Sequence, residues 1–227
     1  MKILFATHSK GKIKEFSKSI KNCQIFSLSD LELKDTPEEN GKTFRDNALI
    51  KADYWKNKID KSFVIISEDA GIEVDALGGR PGVHSARYGR TEESANKKML
   101  QELKGVPVEK RTARYVSVFA LISNQHGTIF WESSCEGSIL EKPSGDQGFG
   151  YDPIFFSKDL NKSFGKVPIL EKEKVSHRGK NMKKLQDWID LNKSFGKVPI
   201  LEKEKVSHRG KNMKKLQDWI DLNLKTN

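Results

Sequence analysis

Cysteine is scarce in this chain, with two, Cys23 and Cys135, among 227 residues. So few make a disulfide framework improbable and fit reduced thiols in a cytoplasmic setting. Long apolar runs are missing too. None approaches the roughly 20 residues of a membrane span. The opening "MKILFATHSKGK" has an apolar stretch too short for a signal peptide, and no small-residue cleavage site follows it. No histidine has a zinc-type partner at ligand spacing. Neither a GxxxxGK[ST] phosphate loop nor a GxSxG nucleophile elbow is present. What remains is 36% hydrophobic and 32% charged, the composition of a soluble, highly charged globular protein.

The net charge of +10 invites a nucleic-acid reading, but a duplication inflates it. "LNKSFGKVPILEKEKVSHRGKNMKKLQDWID" starts at Leu160 and again at Leu191, without mismatch until Leu224. Each copy holds eight Lys/Arg and four Asp/Glu, so one copy's worth of sequence carries +6. That excess suits a phosphate-rich small substrate as well as a polynucleotide. Two identical units are too few for a solenoid, which needs about three to bury a continuous core. The pattern is that of a recent tandem duplication or an assembly scar. Residues 1–192 then form one domain of ordinary size, and 193–227 form a duplicated tail.

The chain opens with strand, basic loop and helix. "KILFAT" reads as a buried strand, and Ile13, Phe16 and Ile20 have helical spacing. "CQIFSL" is a second strand. "TFRDNALIKADYWKNK" is the strongest helix, with Thr43 as N-cap and Asp46 three residues on. Asn47 and Lys51, four apart, share a face away from its apolar stripe. "SFVIISED" is a buried strand ending in two acids, and the Gly-rich stretch after it reads as a short hairpin plus an ordered loop. "EESANKKMLQELK" is a helix. "RYVSVFALIS" and "TIFWESSCEGSIL" form a long hairpin, and "GDQGFGYDPIFF" a loop and a strand. "SHRGKNMKKLQDWIDL" closes the domain as a loop and helix. Alternating strands and helices followed by an antiparallel pair predict a mixed-sheet α/β domain.

Several pieces can carry chemistry. "THSKGK" places backbone N–H groups and lysines at a helix N-terminus, where anions are favoured, although a solvated turn explains it equally well. Glu68 and Asp69 end a buried strand, where ligands of α/β sheets usually bind. Glu38 and Glu39 lie in an earlier loop. Carboxylates of this kind suit Mg²⁺ shared with substrate phosphates; lysine pairing is the plainer alternative for any single acid, but not for Asp69, where so much glycine implies a backbone shaped around something. An aromatic of "GFGYDP" can stack on a base or pack in the core. "SHRGK" is either a basic helix cap or a set of donors for a base edge.

Taken in order, "FATHSKGKIKE", "EENGKTFRDNALIKA", "SEDAGIEVDALGGRPGVHSARY", "GFGYDPIFF" and "KEKVSHRGK" closely resemble the inosine/xanthosine triphosphate pyrophosphatase family, from Lys2 to about Asn192. The resemblance implies a homodimeric, cytoplasmic α/β enzyme with a mixed twisted sheet, flanking helices and two lobes around a central cleft. It implies Mg²⁺-dependent conversion of ITP, dITP or XTP to the monophosphate and pyrophosphate, cleansing the nucleotide pool. The implied partner is a small-molecule substrate, with neither nucleic acid nor membrane. Thr7, His8, Ser9, Lys10, Gly11 and Lys12 match the phosphate-binding segment. Glu38 and Asp69 match the metal-binding acids, and Asp69 also the proton acceptor for the attacking water. Ala70 follows in the substrate shell. Phe149, Gly150, Tyr151 and Asp152 match the nucleoside loop, and Lys172, His177 and Arg178 the base-reading segment. Lys51 and Arg87 sit in family motifs near the phosphates.

There are departures. His8-Ser9 replaces the family's usual Gly-Asn, Ala70 a Ser or Thr, and "FGKV" the usual "FAEL". They leave room for a catalytically inactive relative, and a basic nucleic-acid-binding module is the alternative from another class. Asp152 to Lys172 keeps the family's spacing, so the first copy is expected to form the site. Lys203, His208 and Arg209 repeat its base-reading residues.

Overall fold

The computed structural model of the chain describes residues 1–196. Lys203, His208 and Arg209 lie outside the described residues, as does most of the expected tail. Contacts divide the chain into one unit, Met1–Lys184, and a second from Leu185 onward. Everything said below of the sheet and the cleft concerns the first unit.

A seven-stranded mixed sheet forms the frame, ordered β2-β1-β3-β4-β5-β6-β7. Strand β1 (Lys2–Phe5) runs parallel to β2 (Gln24–Ser27) and to β3 (Phe63–Val74). From β3 outward every pairing is antiparallel, through β4 (Thr112–Ser123), β5 (Gly127–Ile139), β6 (Phe155–Ser157) and β7 (Lys162–Ser163). The helices are α1 (Lys10–Ser19), α2 (Phe44–Lys56), α3 (Glu92–Glu102), α4 (Ile169–Glu173) and α5 (His177–Gly196). The expected α/β class is the observed one. No helix among the described residues is long and apolar enough to cross a membrane.

The strand period of two sorts β4 onto two faces. Val116, Val118, Ala120 and Ile122 join Leu4, Ile65, Ala48, Ala52 and Trp55 in one core. Ala113 and Tyr115 join Ile72, Met99, Leu103, Phe155 and Phe164 in the other. The α2 helix starts where its sequence dictates. Thr43 Oγ1 accepts from the Asp46 N–H and the Asp46 carboxylate accepts from the Thr43 N–H, both at 3.1 Å. Its fully buried Trp55 would cost roughly 3–5 kcal/mol to replace by alanine.

The stretch read as a short hairpin after Asp69 forms only a single antiparallel bridge, Glu73 to Pro81. β3 continues unbroken to Val74, paired with β4 down to Ala113. The alternation of Ala70, Ile72 and Val74 extends the strand, and Gly71 serves a close approach rather than a turn, since a Cβ there would sit 2.8 Å from the Phe44 ring. Two short elements, β7 and α4, have too few residues to show a period in the sequence.

Candidate active site

The cleft starts at the turn from β1 into α1. Ser9 caps α1, its hydroxyl facing the Lys12 N–H at 3.5 Å, while its own N–H donates to Thr7 Oγ1 at 3.2 Å. A serine is as good an N-cap as an asparagine, so the unusual His8-Ser9 pair preserves the helix start. The α1 N-terminus therefore presents backbone donors and the positive end of its dipole to the cleft. His8 is tied to the Asp35 carbonyl at 3.2 Å.

Strand β3 crosses the middle of the cleft. Glu68 and Asp69 are consecutive, so they leave the sheet on opposite faces. Glu68, fully buried, faces α1 and α5. Both its oxygens lie 2.9 Å from Arg178 Nε, and one accepts from Ser117 Oγ at 2.8 Å. Although burial alone would push this carboxyl up, Arg178 and Lys12 together hold it far below the usual carboxylate range. Asp69 faces α2. Lys51 Nζ donates to its Oδ1 at 2.9 Å and Asn47 Nδ2 to its Oδ2 at 3.2 Å. The helical spacing of Asn47 and Lys51 delivers both donors to one carboxylate. Burial raises the Asp69 carboxyl above the ordinary aspartate value, against the pull of Lys51.

Glu39 completes this end, with its Oε2 2.5 Å from Lys51 Nζ. The sequence pointed to Glu38, but Glu38 is exposed and off the cleft, whereas Glu39 lines it. A loop has no side-chain period, so nothing in "PEEN" decides which acid turns inward. Glu39 and Asp69 converge on a single cation, the Lys51 ammonium, and so form a hard-oxygen pair of the kind that holds Mg²⁺ together with phosphate oxygens. Among the described residues no group of three or more metal-ligating side chains occurs.

The far end is a sealed ionic network. Asp152 Oδ2 accepts from the Phe149 N–H at 2.9 Å and from Lys172 Nζ at 2.6 Å. Gly148, with φ +78°, brings its backbone against that carboxylate. Lys172 also approaches Glu15 at 3.5 Å, and Arg178 Nη1 donates to Glu15 at 2.6 Å. The Phe149 ring lies over Gly11, 4.9 Å from Lys172 Nζ and 5.4 Å from the Arg178 guanidinium. Asn96 Nδ2 donates to the Gly150 carbonyl at 3.0 Å, and Tyr151 OH to the Ser85 carbonyl at 2.8 Å. Ser176 stands just ahead of α5, its hydroxyl accepting from the Gly179 N–H at 3.0 Å. Any side chain at Gly179 would strike the Glu173 backbone, so glycine there lets α4 and α5 meet closely and aims His177 and Arg178 inward. Burial, then the neighbouring Arg178 charge, holds the His177 imidazole neutral well below its ordinary pKa.

One cleft of about 570 Å³ collects Thr7, His8, Ser9, Lys12, Asp69, Ala70, Phe149, Gly150, Tyr151, Asp152, Lys172, His177 and Arg178. Lys10, Arg87 and Glu38 are exposed and do not line it, and Arg87 instead contacts His84 Nδ1 at 3.0 Å. The sequence reading passed over Glu15, Asn47 and Tyr115 as site residues, and named Glu39 only as one of two loop acids suited to Mg²⁺. Only Asn47 left a signal, its four-residue spacing from Lys51.

The model of the Ham1 family matches residues 3–188. The dITP/XTP pyrophosphatase of Thermoanaerobacter pseudethanolicus is 42% identical over 194 residues, 83% of this chain and 96% of that protein. Its counterpart in Bacillus subtilis is 40% identical over 192 residues, 82% and 96% of the two chains. Among solved structures, the Staphylococcus aureus Ham1 protein aligns with a TM-score of 0.75 at 30% identity, covering 84% of this chain and 98% of that one. The nucleoside-triphosphatase / dITP/XTP pyrophosphatase of Mycobacterium abscessus aligns at 0.66 and 34% identity, covering 82% and 98%.

Proposed function

The chain belongs to the Ham1 family, and we propose that it is a nucleoside triphosphate pyrophosphatase that converts ITP, dITP and XTP to the monophosphate and pyrophosphate, cleansing the nucleotide pool. The observation that carries this reading is the meeting, in one nucleotide-sized cleft, of a helix N-terminus, a carboxylate with raised pKa and an ionic pocket beside an aromatic ring.

In this reading the purine sits at the Phe149, Lys172 and His177 end, and the phosphates lie against Ser9, Lys12 and the α1 N-terminus. Water adds to phosphorus at the α–β linkage, its proton passes to Asp69, and the bridging P–O bond breaks with pyrophosphate as leaving group. Asn47 and Lys51 hold the acceptor in place, and a carboxyl raised toward the working pH is the better proton acceptor. Glu39 and Asp69 would hold Mg²⁺, which when bound neutralises charge on the phosphates. Lys51, now between the two acids, would then be available to a phosphate oxygen. Hypoxanthine and xanthine carry an acceptor at O6 where adenine carries a donor, so donors at the His177 end favour the 6-keto purines and leave adenine mismatched.

The same reading carries a cytoplasmic homodimer, testable by sedimentation, and assigns the site to the first copy of the duplication, with 193–227 as a passive tail. The deciding experiment is pyrophosphate release with Mg²⁺ from ITP, XTP, GTP, ATP and dTTP, by the full chain beside a chain ending at Asn192. Strong preference for ITP and XTP by both is expected. Activity only in the shortened chain would mean that the tail disables a sound site. Salt-sensitive oligonucleotide binding without hydrolysis would overturn the proposal.

A further inference from the structure

Tyr115 belongs to none of the segments so far given a role, yet it touches two of them. It lies in β4, is 8% exposed, and lines the cleft. Its ring is stacked face to face on the His177 imidazole, with centroids 4.6 Å apart and planes 4° from parallel. Phe155 backs it edge-on at 4.7 Å. Its hydroxyl donates to Asp152 Oδ1 at 3.3 Å, the carboxylate oxygen not taken up by Lys172 and the Phe149 N–H.

The imidazole needs such a neighbour. The last side-chain torsion of histidine is soft, so the plane of the ring is set by what surrounds it. His177 Nδ1 is buried with no hydrogen-bond partner among the described residues, so no polar contact at that atom fixes the plane. A neutral imidazole offers one donor and one acceptor nitrogen, and a purine edge offers complementary groups only if the plane is right.

We propose that Tyr115 is a positioning residue for base selection. Its ring fixes the plane of His177, and its hydroxyl fixes the Asp152 carboxylate that holds Lys172 and the Phe149 loop. This inference rests on the pyrophosphatase reading for its substrate, and on the stacking geometry for its mechanism.

The test compares wild type, Tyr115→Phe and Tyr115→Met with ITP and ATP. Tyr115→Met should raise the KM for ITP about tenfold or more and collapse the ITP-over-ATP preference, with kcat within about threefold. Tyr115→Phe keeps the ring and should recover all but about a threefold rise in KM, the hydroxyl's share. An unchanged KM and preference in Tyr115→Met, or an equal loss of kcat with both nucleotides, would overturn the proposal. Should Tyr115→Met not fold, Tyr115→Phe decides, and an unchanged KM for ITP sinks it. If wild type hydrolyses neither nucleotide, the functional reading fails, and the positioning is judged by NMR of the His177 ring protons without nucleotide. Those resonances should move in Tyr115→Met but hold in Tyr115→Phe, and no movement in either overturns the positioning role as well.

Discussion

The two ends of the cleft are built from the same materials and behave oppositely. At the proposed base end three acids, Glu15, Glu68 and Asp152, meet three cations, Lys172, Arg178 and Lys12, and all but Lys12 are at most 4% exposed. At the proposed phosphate end, two acids, Glu39 and Asp69, share one lysine, and Glu39 is half-exposed. Burial without full pairing raises a carboxyl's pKa, while burial with full pairing lowers it, and Asp69 and Glu68 go those separate ways. The lesson is that a charge network can serve as rigid scaffold or as reactive group depending on whether the charges balance. The surplus acid is the one placed where the proposed reaction needs a proton or a cation to arrive.

Removing the surplus acid should break the comparison most visibly. Asp69→Asn is expected to lower kcat for ITP by about 10²–10⁴ with little change in folding, read by pyrophosphate release and by thermal unfolding. At the balanced end the effect should fall on stability instead. Arg178→Ala leaves Glu68 and Glu15 buried without their partner and should cost about 3–5 kcal/mol in urea denaturation, whereas Arg209→Ala in the second copy should leave ITP hydrolysis unchanged.

Acid should loosen the balanced end through His177. Its pKa is lower folded than the 6.5 of a free imidazole, so the unfolded chain binds the extra proton, and stability present above pH 6.5 is lost as pH falls. The slope approaches about 1.4 kcal/mol per pH unit about one unit below that point. His177→Gln should flatten it between about pH 6.5 and 5. The smallest contrast separates neighbouring acids. Glu39→Gln should weaken the Mg²⁺ requirement's half-saturation about tenfold, and Glu38→Gln should match wild type in the same titration.

How far the sequence foretold this depends on whether a residue's role is written in local period. The α2 cap, the Asn47–Lys51 spacing and the long β4–β5 hairpin all follow from patterns of two or 3.6, and all are present. Asp69 stood out as an acid in a buried strand beside glycines, although the strand runs on through it to Val74 and does not end there. Glu15 was not. Among the lysines of "KIKEFSK" it reads as a solvated helix face, and only the arrival of Arg178 and Lys172, more than 150 residues later, makes it the centre of a network. Tyr115 was hidden for a related reason, since strand alternation says that it points inward but not that a histidine lies flat on it.

Strand β3 carries a consequence for how this enzyme can change. The anchor of Arg178 and the proposed proton acceptor are adjacent residues, about 3.3 Å apart along the strand, so in the proposed mechanism the two faces of one peptide unit serve recognition and reaction. A single-residue insertion ahead of Ser67 would turn each carboxylate toward the other's partners, stranding Asp69 among the α5 cations and Glu68 beside Lys51. Both activities would be lost in one step. Loops around the cleft can lengthen or shorten and retune the substrate, but the length of this strand is fixed by having two jobs back to back.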